Sequence, residues 1–284
     1  MRAGYQGRAA LGPVDATLPT GIHALLGRNG AGKTTLMRVM AGILAPVSGR
    51  VLLNGTDLAV DPAAKDDIGY LGHRPALSSD LTVRRNLEFW AALYCPGPAL
   101  RSRRLAEVRE LFTLDALWEK RAARLSRGQL QRVDLARVVL ADPVVVLLDE
   151  PMTGLDPVTS ALVRELIRDW SRTKAVLYST HNVPEALTVA SQVLILKDGT
   201  LSTRNDLVSG GSSTYEIVCA GPWPQDVAPA RTAEGGLVRV EVPSGSTLGE
   251  LIAVVVGRGV PILDVRRTTV DADAVLREIL EDRP

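Results

Sequence analysis

The sequence predicts an α/β fold: a core sheet, a helical subdomain inserted in it and a small C-terminal α+β domain. Three observations support this prediction. In residues 22–40 a short apolar run, a glycine-rich turn and an amphipathic helix follow one another, which is the order of a buried strand, a loop and a helix. Residues 144–148 form a second apolar run, as expected for a strand buried in a parallel sheet. Between these stretches, residues 82–125 change to helical periodicity.

The composition excludes several classes of protein. The chain has 284 residues, 46% of them hydrophobic, and a net charge of +1, with no basic tract that would indicate nucleic acid as the main partner. The longest apolar runs, 144–148 and 251–256, are far shorter than the about 20 residues of a membrane-spanning helix. The N-terminus lacks the apolar segment of a signal peptide, which predicts a cytoplasmic chain. Cys95 and Cys219 lack metal-ligand spacing, so we expect small core residues or free thiols rather than a disulfide.

Residues 27–35 contain the phosphate-binding pattern G-x-x-x-x-G-K-[ST] between the predicted strand and helix. Glycines let successive backbone N–H groups converge on an anion, and the helix N-terminus adds unpaired donors and the positive end of its dipole. Lys33 is placed to bridge the β- and γ-phosphates of a nucleotide, and the Thr34 hydroxyl to ligate Mg²⁺. The alternative is a glycine-rich turn that binds nothing. The predicted nucleotide-binding residues are Gly27, Asn29, Gly30, Ala31, Gly32, Lys33, Thr34 and Thr35.

Two acidic residues, Asp149 and Glu150, follow the apolar run 144–148. Ligands of open α/β sheets bind beyond the carboxyl ends of the strands, and paired buried acids are costly unless something uses them. Asp149 fits a ligand position around Mg²⁺, and Glu150 fits a general base for an attacking water. The alternative is structural capping of a loop. His181 follows another predicted strand, 175–179, and is a candidate to contact a γ-phosphate; a satisfied structural histidine is the alternative.

Three further positions carry weaker signals. Tyr5 is either a stacking platform for an adenine ring or part of an edge hairpin. His73 follows the short apolar run 68–72, where a nucleotide sensor would sit, or it is a loop histidine without a special role. Ser126 caps a predicted helix whose first residues are also suited to an anion, although any capped helix begins in this way.

Turn signals and composition divide the chain into parts. We expect a main domain at residues 1–207, with a helical subdomain at about 74–140. Residues 208–213 are predicted to be a flexible Ser/Gly linker, and residues 214–284 a small β–β–α–β–α unit with a final helix from Asp271. The helix after Asp156 is predicted to bury Leu162, Leu166 and Trp170.

The ordered set of motifs resembles the ATP-binding subunit of an ABC transporter, from Tyr5 to about Leu201. The phosphate loop matches at 27–35, the signature element L-S-G-G-Q is present as L-S-R-G-Q at 125–129, and the acidic strand matches at 144–150. The aspartate loop matches at 154–156 and the switch histidine at His181. The resemblance implies a P-loop NTPase core sheet with a small antiparallel β subdomain and a helical subdomain, and an ATPase that uses ATP and Mg²⁺. It also implies roles for single residues: Tyr5 stacks on adenine; Glu150, His181 and Lys33 act in catalysis; Thr34 and Asp149 ligate Mg²⁺, with His73 as a further candidate; Ser126, Arg127, Gly128 and Gln129 contact ATP held by a second copy; and Asp156 lies in the dimer loop.

The resemblance further implies partners. It implies a head-to-tail homodimer that encloses two ATP molecules and drives a separate transmembrane permease, at the inner face of the cell membrane. By its pattern, the C-terminal unit is similar to the accessory domain of exporter-type subunits for drugs, peptides and antibiotics, so export is expected.

Two departures and two alternatives accompany this interpretation. His73, with a shorter reach, stands where the family usually has a glutamine that ligates Mg²⁺, and Arg127 replaces a signature glycine. One alternative is a soluble ABC-type ATPase acting on nucleic acid or ribosomes. Such proteins usually carry a long coiled coil or two ATPase domains, which this sequence lacks. The other is a regulatory module with an inactive site, against which Lys33, Asp149 and Glu150 argue.

Overall fold

The computed structural model describes residues 1–5, 8–204, 213–224, 227, 230–232, 237–242 and 248–267. Contacts between residues divide the chain into two compact units. The first consists of Met1–His181 with Leu194–Thr203, and the second of Asn182–Val193 with the described residues from Arg204 onward. Every helix among the described residues is too short or too polar to cross a bilayer.

Up to Arg204 the described chain contains both strands and helices. The strands and helices are, in chain order, β1 (Ala3–Tyr5), β2 (Arg8–Leu11), β3 (Gly21–Leu26), α1 (Lys33–Met40), β4 (Leu52–Leu53), β5 (Thr56–Asp57), β6 (Ile68–Leu71), α2 (Val83–Tyr94), α3 (Pro98–Leu111), α4 (Arg127–Ala141), β7 (Val145–Leu148), α5 (Pro157–Trp170), β8 (Ala175–Ser179), α6 (Val183–Val189), β9 (Gln192–Lys197) and β10 (Thr200–Arg204). Short 3-10 helices lie at Pro62–Asp67, Asp115–Leu117 and Ala122–Arg124.

A six-stranded sheet with the order β10-β9-β3-β8-β7-β6 forms the framework of this part. The pairs β3–β8, β8–β7 and β7–β6 are parallel, so their carboxyl ends lie along one edge. All six residues of β3 are buried, as expected for a central parallel strand covered on both faces. Helix α1 packs its buried residues, among them Leu36 and Met37, into the same apolar core as Leu25, Leu147 and Leu177.

Two small antiparallel hairpins accompany the main sheet: β1 pairs with β2, and β4 pairs with β5. The β1–β2 pair confirms the edge hairpin considered for the N-terminus. The turn between β4 and β5 is Asn54-Gly55, whose residues both have positive φ, as a tight hairpin requires.

Helices α2, α3 and α4 lie between β6 and β7 in the sequence. Thr82 caps α2 by accepting a hydrogen bond from the Arg85 N–H at 3.2 Å. Leu87 and Ala91, four residues apart on one face of α2, are fully buried, as expected from the helical periodicity of residues 82–125. Cys95, just after α2, and Cys219 are buried free cysteines, as predicted.

The second unit contains a four-stranded antiparallel sheet and a helix. From Ser213 onward its elements are β11 (Ser213–Cys219), β12 (Ala230–Thr232), β13 (Leu237–Val242), α7 (Leu248–Gly257) and β14 (Ile262–Arg267), and the strand order is β12-β13-β11-β14. Val238, Val240 and Val242 are buried, because alternate residues of β13 face the same side of the sheet. Val238 and Val240 pack with Ile217 and Val255 in a core of this unit.

Several sequence expectations need correction. In α5, Val163 and Ile167 are fully or almost fully buried, while Leu162, Leu166 and Trp170 are only half-buried. Both sets follow helical spacing, and the helix is rotated so that the β-branched residues Val163 and Ile167 face the core. Strands β10 and β12 were not predicted, and Ser213, expected in the linker, begins β11. Linker residues 208–212 and the final helix predicted from Asp271 lie outside the described residues, and the predicted domain bounds stay predictions.

Candidate functional site

The phosphate loop joins β3 to α1 at the carboxyl edge of the sheet. Helix α1 begins at Lys33, and Gly32 is its N-cap with φ of 105°, a left-handed conformation that glycine adopts without strain. The Lys33 ammonium group donates to the backbone carbonyls of Gly27 at 2.7 Å and Arg28 at 3.2 Å, so it lies against the loop itself. Asn29 and Gly30 are exposed, and Ala31 is half-buried. The loop therefore presents backbone donors and a cation at the open end of a helix, which suits a phosphate.

The acidic residues lie beside this loop. Asp149 follows β7 and is buried, and its Oδ2 atom accepts a hydrogen bond from the Thr34 hydroxyl at 2.6 Å. Thr35, the next residue of α1, is buried, whereas Thr34 is exposed. The structure thus brings together the two predicted Mg²⁺ ligands, which lie 115 residues apart in the chain.

Glu150 is half-buried and has φ of 52°, an uncommon left-handed conformation for a residue with a side chain. Its Oε2 atom accepts a hydrogen bond from the Thr153 hydroxyl at 3.1 Å. Burial lowers the pKa of Lys33, and the carboxylates of Glu150 and Asp149 act in the opposite direction. The two predicted acids and the loop lysine therefore form one electrostatic group.

Oxygen donors at this edge fit Mg²⁺. The ion prefers oxygen ligands and is usually held by one or two carboxylates together with substrate phosphates. Asp149 and Thr34 supply a carboxylate and a hydroxyl next to the phosphate loop. Among the residues that the structure describes, no group of three or more His, Cys, Asp or Glu side chains is arranged to hold a metal on its own. The arrangement suits an ion shared with a phosphate rather than a site made of protein ligands alone.

Two predicted histidines follow strands of the same sheet. His73 comes two residues after β6 ends at Leu71, and His181 comes two residues after β8 ends at Ser179. Both side chains are exposed. Their strands are parallel neighbours of β7, so both residues lie toward the edge that carries Asp149. Their proposed contacts with Mg²⁺ and with the γ-phosphate stay predictions.

The signature residues form a second group at the start of α4. Ser126 and Gln129 make a capping box: Gln129 N–H donates to the Ser126 hydroxyl at 3.3 Å, and Ser126 N–H donates to Gln129 Oε1 at 3.1 Å. A Cβ atom on Gly128 would lie 2.6 Å from the Gly154 carbonyl oxygen, so only glycine allows this approach. The stem of Arg127 lies near Gly154 as well. The predicted signature element and aspartate loop are therefore neighbours within one chain.

Asp156 begins α5 as its N-cap. Its carboxylate accepts hydrogen bonds from the Thr159 N–H at 2.9 Å and from the Thr159 hydroxyl at 2.7 Å. These bonds lower the pKa of Asp156. The Gln131 side chain of α4 donates to the Pro151 carbonyl at 3.4 Å, which connects the signature helix to the residue after Glu150.

Tyr5 lies in β1, and its side chain is outside the part of the chain that the structure describes, so its stacking role stays a prediction.

Comparison with known proteins decides the family. The ABC transporter family matches residues 11–153, which is half of the chain. The sulfate/thiosulfate import ATP-binding protein CysA of Thermosynechococcus vestitus is 38% identical over 223 residues, covering 75% of this chain and 65% of that protein. The chain belongs to the ABC transporter ATP-binding family. The expected resemblance to an ABC transporter ATP-binding domain is thus confirmed, while the exporter branch is not shown, because this relative is named as an import protein.

Other ABC proteins extend the comparison. The putative 2-aminoethylphosphonate import ATP-binding protein PhnT of Salmonella choleraesuis is 35% identical, covering 72% of this chain and 57% of that protein. This ABC chain therefore spans about two thirds or less of the length of these relatives. A solved ATP-binding subunit of an ABC transporter aligns with a TM-score of 0.66 at 25% identity, covering 90% of this chain and 96% of that one. The ATP-binding cassette MJ0796, solved as a dimer and bound to ADP and Pi, shares the fold with a TM-score of 0.64 at 23% identity. The predicted P-loop NTPase fold is confirmed.

One residue of this ABC site was missed by the sequence analysis. The Ser179 hydroxyl lies between Asp149 and Glu150: it donates to Asp149 Oδ1 at 2.8 Å and accepts from the Glu150 N–H at 2.9 Å. The signal available in the sequence was a polar residue, Ser179, at the end of an otherwise apolar strand. It became meaningful only with the order of the strands.

Proposed function

We propose that the protein is a Mg²⁺-dependent ATPase that powers a separate membrane permease. The observation that carries this proposal is the group of Lys33, Thr34, Asp149 and Glu150 at one edge of the sheet. A phosphate-binding loop with its lysine, an adjacent set of metal-binding oxygens and a further carboxylate are the parts that phosphoryl transfer to water requires.

Each part has a task that its position supports. Backbone N–H groups of the loop and the Lys33 ammonium group hold the β- and γ-phosphates and stabilise the negative charge that develops on them. Thr34 and Asp149 hold Mg²⁺, which neutralises phosphate charge when bound. Glu150 accepts a hydrogen bond from the attacking water and orients it. His181, from the neighbouring strand, contacts the γ-phosphate side of the site.

We extend the proposal to a head-to-tail homodimer, in which Ser126, Arg127 and Gly128 of one copy contact ATP held by the other. Ser126 and Arg127 are exposed at the N-terminus of a helix, where backbone N–H groups and the helix dipole attract an anion. Arg127 adds a positive charge there. The exposed Asp156 lies in the aspartate loop, and Gly154 of this loop contacts Gly128, so the signature residues and the aspartate loop form one continuous surface.

The transport role rests on the family and its named relatives, which are import ATP-binding proteins. The permease would bind the chain at the inner face of the membrane. Export, which the pattern of the C-terminal unit favoured, has no support from these relatives. The chain can be reconstituted with its permease in sealed vesicles. The direction in which ATP then drives substrate across the membrane decides between import and export.

The test of the ATPase is Glu150→Gln. The variant should bind ATP with the affinity of the unsubstituted protein and form an ATP-dependent dimer, while its kcat should fall by about 100-fold or more, because the group that orients water is lost. Glu165→Gln is the matched control, since it changes an exposed glutamate of α5 and should keep full activity. Unchanged hydrolysis in Glu150→Gln would remove Glu150 from its proposed role.

A further inference from the structure

Ser179 makes contacts that the sequence analysis did not anticipate. It is the last residue of β8 and is fully buried. Its single hydroxyl donates to Asp149 Oδ1 at 2.8 Å and accepts the Glu150 N–H at 2.9 Å. One side chain therefore contacts both acidic residues of the proposed site, in each case through a hydrogen bond shorter than 3 Å.

The first bond fixes the orientation of a carboxylate. Asp149 has one oxygen bonded to the Ser179 hydroxyl and the other to the Thr34 hydroxyl at 2.6 Å. Hydrogen bonds to an ionised carboxylate are stronger than those between neutral groups. With Oδ1 held by a residue of the sheet, Oδ2 points toward α1 and the phosphate loop. Loss of the Ser179 hydroxyl would let the carboxylate rotate and would leave a buried oxygen without this donor.

The second bond fixes a backbone conformation. Glu150 adopts φ of 52°, which is unfavourable for a residue other than glycine and persists only where neighbouring groups hold it. The Ser179 hydroxyl holds the N–H of this residue, and the Thr153 hydroxyl holds its carboxylate at 3.1 Å. The direction in which the Glu150 side chain leaves the backbone thus depends on Ser179.

We propose that Ser179 is a positioning residue for ATP hydrolysis: through one hydroxyl it orients the Asp149 carboxylate and sets the backbone of Glu150. The inference rests on the proposed function, because both residues are assigned to Mg²⁺ binding and water activation there. Ser179 acts through these two residues, so its removal should affect turnover and the Mg²⁺ response more than the binding of ATP itself.

The test compares Ser179→Thr with Ser179→Val. These variants have nearly the same shape and differ by the hydroxyl, so any strain from the added methyl groups is common to both. We expect kcat of Ser179→Val, measured at saturating ATP and Mg²⁺, to be roughly 10-fold to 100-fold below that of Ser179→Thr. Equilibrium binding of ATP, measured in Mg²⁺ and again in EDTA, should show a smaller Mg²⁺-dependent gain in affinity for Ser179→Val and equal affinity in EDTA.

The same pair of substitutions at Ser160, a buried serine of α5, is the matched control and should show no difference in kcat between Thr and Val. Equal kcat and an equal Mg²⁺ response in Ser179→Thr and Ser179→Val would overturn the positioning role while leaving the ATPase proposal intact. If the unsubstituted protein neither hydrolyses ATP nor binds it more tightly with Mg²⁺, the proposed function fails, and this inference fails with it.

Discussion

Arg137→Met tests a buried ion pair on the signature helix α4. The Arg137 side chain is 6% exposed and the Asp134 side chain 0%, and Arg137 Nε donates to Asp134 Oδ1 at 2.6 Å. The guanidinium group also donates to the Tyr70 carbonyl at 2.7 Å and lies 5.1 Å from the centre of the Trp90 ring. Asp134 Oδ2 accepts the Ala76 N–H at 3.3 Å. Removal of the arginine would leave the Asp134 carboxylate buried without its charged partner, and the long hydrogen bond from Ala76 would remain.

The structure sets the size of the effect. Breaking a buried pair by removing one partner costs about 3–5 kcal/mol of unfolding free energy, because the remaining charge is uncompensated. With a urea dependence of about 2 kcal/mol per molar, the unfolding midpoint of Arg137→Met should fall by about 2 M. Trp90, Trp118 and Trp170 all lie in the first unit, so tryptophan fluorescence during urea unfolding reports on the affected part.

Arg103→Met is the control for this measurement. Arg103 pairs with Glu107 on the surface of α3, with side chains 66% and 48% exposed, and loss of such a pair costs about 1 kcal/mol or less. Both substitutions replace arginine by methionine in a helix, so they differ mainly in burial. Equal shifts of the urea midpoint in the two variants would refute the reasoning.

The pH dependence of the stability lost in Arg137→Met gives a second check on this variant. Burial raises the pKa of Asp134, and Arg137 opposes that shift, so the pKa should rise further in Arg137→Met. A carboxyl whose folded pKa exceeds its unfolded value of 3.8 destabilises the fold fully above the folded pKa and not at all below the unfolded one. The stability difference between the variant and the unsubstituted protein should therefore be largest at neutral pH and narrow as the pH falls toward about 4. A difference that widens in acid would contradict this assignment.

Two further predictions concern the signature region. Gly128→Ala should abolish ATP-dependent dimers in size-exclusion chromatography while single-copy ATP binding persists, because the new Cβ would lie 2.6 Å from the Gly154 carbonyl oxygen; Gly221→Ala, which adds a methyl group in open space, is the control. Asp156→Ala should make the melting temperature depend less on pH in acid. The Asp156 cap stabilises the fold above the ordinary carboxyl pKa of 3.8, and this stability is lost as the pH falls through the lowered pKa of the folded state. An equal fall of the melting temperature in acid for the variant and the unsubstituted protein would contradict this role of the cap.

The parts of the site that lie within one short stretch were predictable from sequence. The phosphate loop needs glycines, a lysine and a threonine at fixed spacing between a strand and a helix, and all of these fall within residues 22–40. Asp149 and Glu150 were predictable for a similar reason, because two acids directly after a buried apolar run of an α/β protein fall where such sheets bind their ligands. The structure adds the 2.6 Å bond between Thr34 and Asp149, which makes the two stretches one site.

Features that depend on the third dimension were predicted less well. The apolar face of α5 was placed on Leu162, Leu166 and Trp170, yet Val163 and Ile167 are the buried pair. Spacing alone cannot choose between adjacent rows of one helix, because both rows repeat every four residues. Strand β10 has a mixed polar sequence, Thr-Leu-Ser-Thr-Arg, that gives a weak strand signal, and β12 is only three residues long.

Ser179 shows most clearly why the order of strands matters. Strands β7 and β8 are parallel neighbours with Leu148 opposite Tyr178, so the next residues of each strand, Asp149 and Ser179, come side by side. The sequence predicted both strands but gave no reason to place them next to each other rather than separated by β3. Once that adjacency is known, a hydroxyl at the end of β8 necessarily lies beside the acids at the end of β7. A buried hydroxyl beside a carboxylate needs a partner, and here it finds two in residues assigned to the reaction. The same packing that satisfies Ser179 as a buried polar group therefore gives it control over the geometry of the site.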